Sequence, residues 1–182
     1  MSHRDRSAVP SPWIVRFASE LGPGSRVLDL ACGAGRHARM LLDAGHHVTA
    51  VDVDLSGVTD LEGHPSVSLR AADLEDGSPW PLPGATFDGV IVTNYLHRPI
   101  FPAVLAAVAT GGMLLYETFA RGNEQYGKPS NPDFLLRPAE LLEVVRSDGE
   151  AGGFEILDFS QGFTDTPKPA VVQRIAARRP AR

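Results

Sequence analysis

Apolar positions along the chain fall first at helical spacing and then in short blocks set off by glycine. Trp13, Ile14, Phe17 and Leu21 recur on one helical face, so Ser11 to Leu21 predicts a helix with Ser11 as its cap and Pro12 at its first position. Gly22-Pro23-Gly24 stops it, and Val27 to Leu30 follows as a short apolar strand. A turn of small residues then leads into a helix over Arg36 to Ala44 that Gly45 closes. The same reading predicts strands at His47 to Val53, Val67 to Ala71, Phe87 to Asn94 and Met113 to Thr118. Between and after them it predicts a helical turn at Ser56 to Leu61, a helix at Phe101 to Ala109, and a helix at Arg137 to Val145 with Pro138 in its first turn.

Alternation of this kind means an α/β domain, a parallel sheet covered on both faces. The end of the chain departs from it. Phe154 to Phe159 and Val171 to Ala176 both read as strands, but the stretch between them holds Pro167 and Pro169 and is too short for a crossover helix. The two are expected to pair antiparallel as a long-looped hairpin. The tail from Arg174 to Arg182 carries arginines and is expected to be a solvated terminus.

Composition narrows the function. The 182 residues are 43% apolar and 21% charged with a net charge of -5, which suits one compact domain and gives no cationic face for bulk nucleic-acid binding. Pro99 to Tyr116 carries no charge, yet Pro102 and Thr110-Gly111-Gly112 divide it into helix and strand, so no membrane span is expected. The single cysteine, Cys32, makes neither a disulfide nor a zinc cage, and no metal site is expected. With a polar start lacking a secretory apolar core, this points to the cytoplasm. Met1 to Pro10 is expected to be flexible.

Candidate chemistry concentrates at strand ends. Asp29-Leu30-Ala31-Cys32-Gly33-Ala34-Gly35-Arg36 runs from a buried strand through a glycine turn into a helix, where backbone can approach a ligand closely. A carboxylate such as Asp29 in an apolar strand is costly to bury without hydrogen-bond partners. Asp52 and Val53 end the next strand; Asp52 lies seventeen positions after Gly35, where an acid can accept both ribose hydroxyls of an adenosine. Ala72-Asp73-Leu74 ends the third strand and can meet an adenine amine.

From about Arg26 to Ala177 the chain resembles the class I S-adenosylmethionine-dependent methyltransferases, whose acidic-x-Gly-x-Gly-x-Gly motif appears here as Asp29-x-Ala31-x-Gly33-x-Gly35. Ala31 replaces the first glycine, a departure expected to narrow the approach of the methionine part. The resemblance implies a Rossmann-like three-layer sandwich with a seven-stranded, mostly parallel sheet and a C-terminal antiparallel hairpin. It also implies S-adenosyl-L-methionine as cofactor, with the ribose acid at Asp52 and the adenine-side acid at Asp73. The small single-domain enzymes of the tellurite-resistance type are similar in size and in the Cys-Gly-x-Gly-Arg run.

Two rivals share parts of this pattern. Gly33-x-Gly35-x-x-Ala38 with Asp52 also suits an NAD-dependent oxidoreductase, but Asp29 and the final hairpin speak against it. A non-catalytic adenosyl-binding module would leave the acceptor side unfurnished. That side is furnished: Thr93, Asn94, Tyr95 and His97 leave the fourth strand, and Glu117 lies at the end of the fifth. His97 is the candidate proton acceptor, Tyr95 a candidate wall, and Glu117 is expected beside His97. The aperiodic stretch 119–136 is expected to be a lid over a small-molecule methyl acceptor. His46 and His47 are expected to face solvent, and Cys32 to be a packing residue.

Overall fold

The computed structural model describes residues 9–147 and 153–181; the first eight residues of the expected flexible N-terminus lie outside them. Seven strands form one sheet: β1 (Arg26–Leu30), β2 (His47–Asp52), β3 (Val67–Ala71), β4 (Phe87–Thr93), β5 (Val108–Phe119), β6 (Glu155–Thr164) and β7 (Ala170–Arg178). Their spatial order is β3-β2-β1-β4-β5-β7-β6, with β7 antiparallel to both neighbours. The chain therefore reverses direction across the sheet between β1 and β4, and the C-terminal edge there is where open α/β sheets bind ligands.

Strict alternation along the central strands builds two cores. On one face Ile91, Leu115 and Ala176 meet α1 (Pro12–Ala18) and α2 (Arg36–Asp43) through Ile14, Phe17, Ala38 and Leu41. On the other, Val90, Val92, Leu114 and Ile175 meet α3 (Phe101–Ala106) and α4 (Glu140–Arg146) through Val104, Leu105, Leu141 and Val145. Each such Val, Leu, Ile or Phe side chain contributes about 1.5–3 kcal/mol by leaving water. Ser11 caps α1, its hydroxyl accepting from the Ile14 amide, with Pro12 at the first position. Among the described residues no helix is long and apolar enough to cross a membrane.

Several boundaries differ from expectation for local reasons. Helix α3 ends at Ala106 because β5 begins at Val108 and runs through Gly111, whose φ of 77° makes an irregularity opposite Phe87 and Gly89 rather than a break. Helix α4 starts at Glu140, leaving Pro138 outside, since Ala139 adopts a left-handed φ of 57°. Strands β6 and β7 reach Thr164 and Ala170, so the hairpin loop is short rather than long. The polar run Ser160-Gln161-Gly162 masked that extension. The C-terminal arginines are not a solvated tail: Arg174 pairs with Glu117, Arg178 with Glu20, and Arg179 donates to the carbonyls of Val108 and Leu105. His46 is buried rather than solvent-facing, which pushes its pKa down.

Segment 119–136 is tied at both ends. Ala120, Asn123, Leu135 and Leu136 are buried, Ala120 bridges to Leu136, and Asn123 donates to the Pro129 carbonyl while accepting from the Val171 amide. Arg98 grips its far end, bonding the carbonyls of Asp133 and Leu135 and the buried Glu140 carboxylate at 2.6 and 3.0 Å. Only about residues 124–134 remain exposed as a candidate lid. Removing Glu140 leaves Arg98 without its carboxylate and orphans the Arg137 amide, which bonds Glu140 at 2.7 Å. Glu140→Ala is expected to cost about 3 kcal/mol in denaturant unfolding; a loss under about 1 kcal/mol would show that the clamp is dispensable.

Candidate functional site

The glycine turn after β1 is built from alternating left-handed residues: Ala31 (φ 56°), Gly33 (54°) and Gly35 (74°). At Gly35 a Cβ would run into the Val58 side chain, so glycine is required there by packing. At Gly33 a Cβ would meet nothing within 4 Å, so that position faces open space at the sheet edge. Ala31 carries its methyl in a conformation that costs about 1 kcal/mol or more for a side chain, so its replacement of glycine strains the backbone. Arg39 pins the turn from behind: it donates to the Ala34 carbonyl, to the Gly57 carbonyl at 3.0 Å and to Asp60 at 2.6 Å. Sequence reasoning missed Arg39, because a contact between α2 and the turn after β2 has no local signature.

Asp52 closes the turn from the neighbouring strand. One carboxylate oxygen accepts the Gly33 amide at 2.8 Å and the other the Asp54 amide at 3.0 Å, which leaves each oxygen further acceptor capacity. Beside it Val53 is 67% exposed, an apolar side chain left in water at the sheet edge. The Ala72 amide bonds the Asp52 carbonyl, Asp73 is exposed and accepts the Glu75 amide, and Leu74 is half-buried. These three strand ends line one edge, as expected.

Asp29 is buried at 1% exposure, and its Oδ2 has no hydrogen-bond partner among the described residues. Burial pushes its pKa up to about 7, against the opposing pull of the Ala38 amide and the Arg36 guanidinium. Arg36 is half-buried at the start of α2 and also reaches the Val9 carbonyl. Cys32 is a buried member of the α1/α2 core, and burial raises its thiol pKa, as befits packing rather than nucleophilic duty.

On the same sheet face lies a polar array that sequence reasoning did not assemble. Thr93, Glu117 and Arg174 occupy paired positions across β4, β5 and β7. Glu117 Oε2 accepts from Arg174 Nε at 2.5 Å and from the Ser11 hydroxyl at 3.1 Å. Buried His37 accepts the Ser11 amide at its Nε2, which puts its proton on Nδ1, 3.5 Å from the Thr93 hydroxyl. Burial holds its pKa down to about 3, so this imidazole is neutral.

The expected pairing of His97 with Glu117 does not form; Glu117 is taken by Arg174 and Ser11, and Arg98 turns to Glu140 instead. The half-buried His97 ring has no hydrogen-bond partner among the described residues. Asn94 is exposed with a left-handed φ of 54°, its amide donating to the Glu117 carbonyl. Tyr95 sits among the carboxylates of Glu75, Asp73 and Asp52, and its pKa is raised, first by burial and then by those negative charges.

The chain is similar to known proteins in sequence and in fold. Residues 27–111 match the model of a family described as a methyltransferase domain. A probable S-adenosylmethionine-dependent methyltransferase of Mycolicibacterium smegmatis is 30% identical over 145 residues, covering 74% of this chain and 54% of the relative. TehB from Haemophilus influenzae shares the fold at a TM-score of 0.71 and 20% identity, over 93% of this chain and 62% of that one. A Burkholderia thailandensis 1,6-didemethyltoxoflavin N1-methyltransferase, solved with bound S-adenosylhomocysteine, shares it at 0.66 and 20% identity, over 97% and 80%. The chain thus matches a methyltransferase-domain family over residues 27–111 and shares its fold with solved S-adenosylmethionine-dependent methyltransferases. It spans about half the length of the curated relatives it matches.

Asp29 and His37 give opposite pH signatures. Asp29 binds a proton more tightly folded than unfolded, so its stabilising contribution is full below about 4 and lost as pH rises through about 7. His37 binds one less tightly, so its contribution is full above about 6.5 and lost as pH falls toward about 3. Between about pH 5 and 8 the donor-free protein is expected to lose at least about 1 kcal/mol that Asp29→Asn does not lose, measured by urea unfolding. Parallel profiles would show that Asp29 is solvated.

Proposed function

We propose that this chain is a cytoplasmic methyltransferase that moves a methyl group from S-adenosyl-L-methionine to a small-molecule acceptor, working as one domain. The observation that carries this reading is the partly unsatisfied edge around the glycine turn. Asp52 has acceptor capacity left for two hydroxyls, Val53 offers an uncovered apolar surface, and buried Asp29 has an oxygen with no partner. A ribose, an adenine and an amino-acid cation fit those three features in that order. Asp73, with Ala72 and Leu74, borders the adenine side. Ala31, Cys32, Gly33 and Gly35 lie along the methionine part, Arg36 meets its carboxylate, and Thr93 and Asn94 border the transferring end. Cytoplasmic placement is supported by the single cysteine, Cys32.

The donor supplies an activated methyl on a sulfonium whose leaving group is a neutral thioether. What the protein must do is align the acceptor and exclude water. His97, whose ring is free of partners among the described residues, takes the acceptor's proton. Glu117, bonded to Arg174, holds the wall of the site. Tyr95 stays protonated and acts as a donor on the adenosine side, not as a base. Residues 124–134 close over the acceptor.

Calorimetric titration with S-adenosylmethionine, S-adenosylhomocysteine and NAD separates this reading from the oxidoreductase and from a passive binding module. Both adenosyl ligands are expected to bind and NAD not. Asp52→Ala is expected to lose about 2 kcal/mol of adenosyl affinity while staying folded. Gly33→Ala, whose methyl enters open space, is expected to weaken the same ligands. NAD binding with no adenosyl binding would overturn the proposal. Labelled-methyl transfer to a panel of small acceptors tests catalysis, and His97→Gln is expected to slow it about a hundredfold with S-adenosylhomocysteine affinity unchanged.

A further inference from the structure

Resting on that reading, one feature bears on which acceptor the chain takes. A cavity of about 310 Å³ opens between the start of α1 and the β6–β7 hairpin, lined by Pro12, Trp13, Arg16, Thr164, Thr166 and Arg174. It adjoins the ligand edge, because Arg174 stands opposite Glu117 in the β5–β7 register and Glu117 stands opposite Thr93 in the β4–β5 register. The Glu117–Arg174 bond is thus a shared wall between the end of β4 and this cavity.

The lining sorts into one apolar wall and a set of donors. Trp13 donates its indole N–H to the Ile175 carbonyl at 3.4 Å and meets the Phe17 ring at a centroid distance of 5.0 Å, so its polar atom is engaged and what it presents to the cavity, alongside Pro12, is apolar ring. Arg174 spends Nε on Glu117, and no described residue bonds its two terminal nitrogens. Arg16 spends one terminal nitrogen on Asp158 at 2.8 Å, and its side chain is 63% exposed. Each guanidinium is therefore fixed in orientation by a carboxylate while retaining N–H groups for a further planar acceptor.

We propose that this cavity is the acceptor subsite and that it selects a small aromatic carboxylate: the ring lies against Trp13 and the carboxylate is forked by Arg174, with Arg16 beside it. A planar anion suits a guanidinium fork, and a flat ring suits an indole surface. A neutral acceptor would leave the fork unsatisfied, so the charge is a selection element and not only a contribution to affinity.

The test uses the whole chain saturated with S-adenosylhomocysteine, with benzoate and 4-hydroxybenzoate as probes, benzyl alcohol as the neutral control and inorganic phosphate as the ring-free anion. The Trp13 and Trp80 indole N–H resonances, assigned by Trp13→Phe, report locally. Both carboxylates are expected to shift the Trp13 resonance saturably and leave Trp80 unmoved, with benzyl alcohol and phosphate at least tenfold weaker. Arg174→Lys keeps a cation for Glu117 but removes the fork, and is expected to weaken benzoate at least fivefold without changing S-adenosylhomocysteine affinity. Arg16→Gln, at an exposed position, is expected to weaken it about twofold and guards against a folding defect in the first variant. S-adenosylhomocysteine binding with no benzoate response at Trp13, or equal binding of benzyl alcohol, overturns this inference alone. Failure of S-adenosylhomocysteine to bind overturns the methyltransferase reading itself.

Discussion

The bond from the Gly33 amide to the Asp52 carboxylate organises the ligand edge. It fastens the turn after β1 to the end of β2 and spends one acceptor position of the carboxylate on the protein itself. The turn could not take this shape with ordinary side chains at every position: Gly35 has no room for a Cβ, and Gly33 needs both a left-handed backbone and clear space outside. Arg39 holds the turn from the opposite side through the Ala34 and Gly57 carbonyls. With the turn fixed from two sides, the edge is a preformed surface, one on which a ligand would leave little ordering to be done.

The same edge is where the fold gives up stability. Asp29 is held in an apolar core at a position that raises its pKa to about 7, and Ala31 occupies a backbone region that glycine would fill without strain. Neither feature helps the donor-free protein. Both make sense if a cationic amino-acid group completes Asp29 and if the turn must bend outward. His37 is the counterweight: kept neutral by burial, it accepts the Ser11 amide and fixes the start of α1 against the sheet, which brings the Ser11 hydroxyl to Glu117.

Much of the fold was legible because its signals are local. The apolar blocks of β1 to β4, the Ser11-Pro12 cap and the closing Gly45 follow from spacing and turn chemistry, and the antiparallel pairing of the last two strands follows from the short gap between them. Misjudged elements lie where neighbours overrode local preference. Gly111 reads as a breaker but is absorbed by an irregular register, and polar residues hid the outer halves of β6 and β7. For the candidate site, the strand-end placement of Asp29, Asp52 and Asp73 was readable, whereas the Ser11-His37-Glu117-Arg174 array joins four distant segments and has no signature in any one of them. The expected His97–Glu117 pair failed for the same reason, because the partner that claims Glu117 comes from β7.

A crystal structure of the chain with S-adenosylhomocysteine tests the central claim most directly. The account predicts both ribose hydroxyls on Asp52 with the Gly33 amide bond intact, the adenine against Val53, and the amino group of the homocysteine part directed to Asp29. A ligand bound elsewhere, or an Asp52 carboxylate that leaves Gly33 and makes no contact with the ribose, would contradict it.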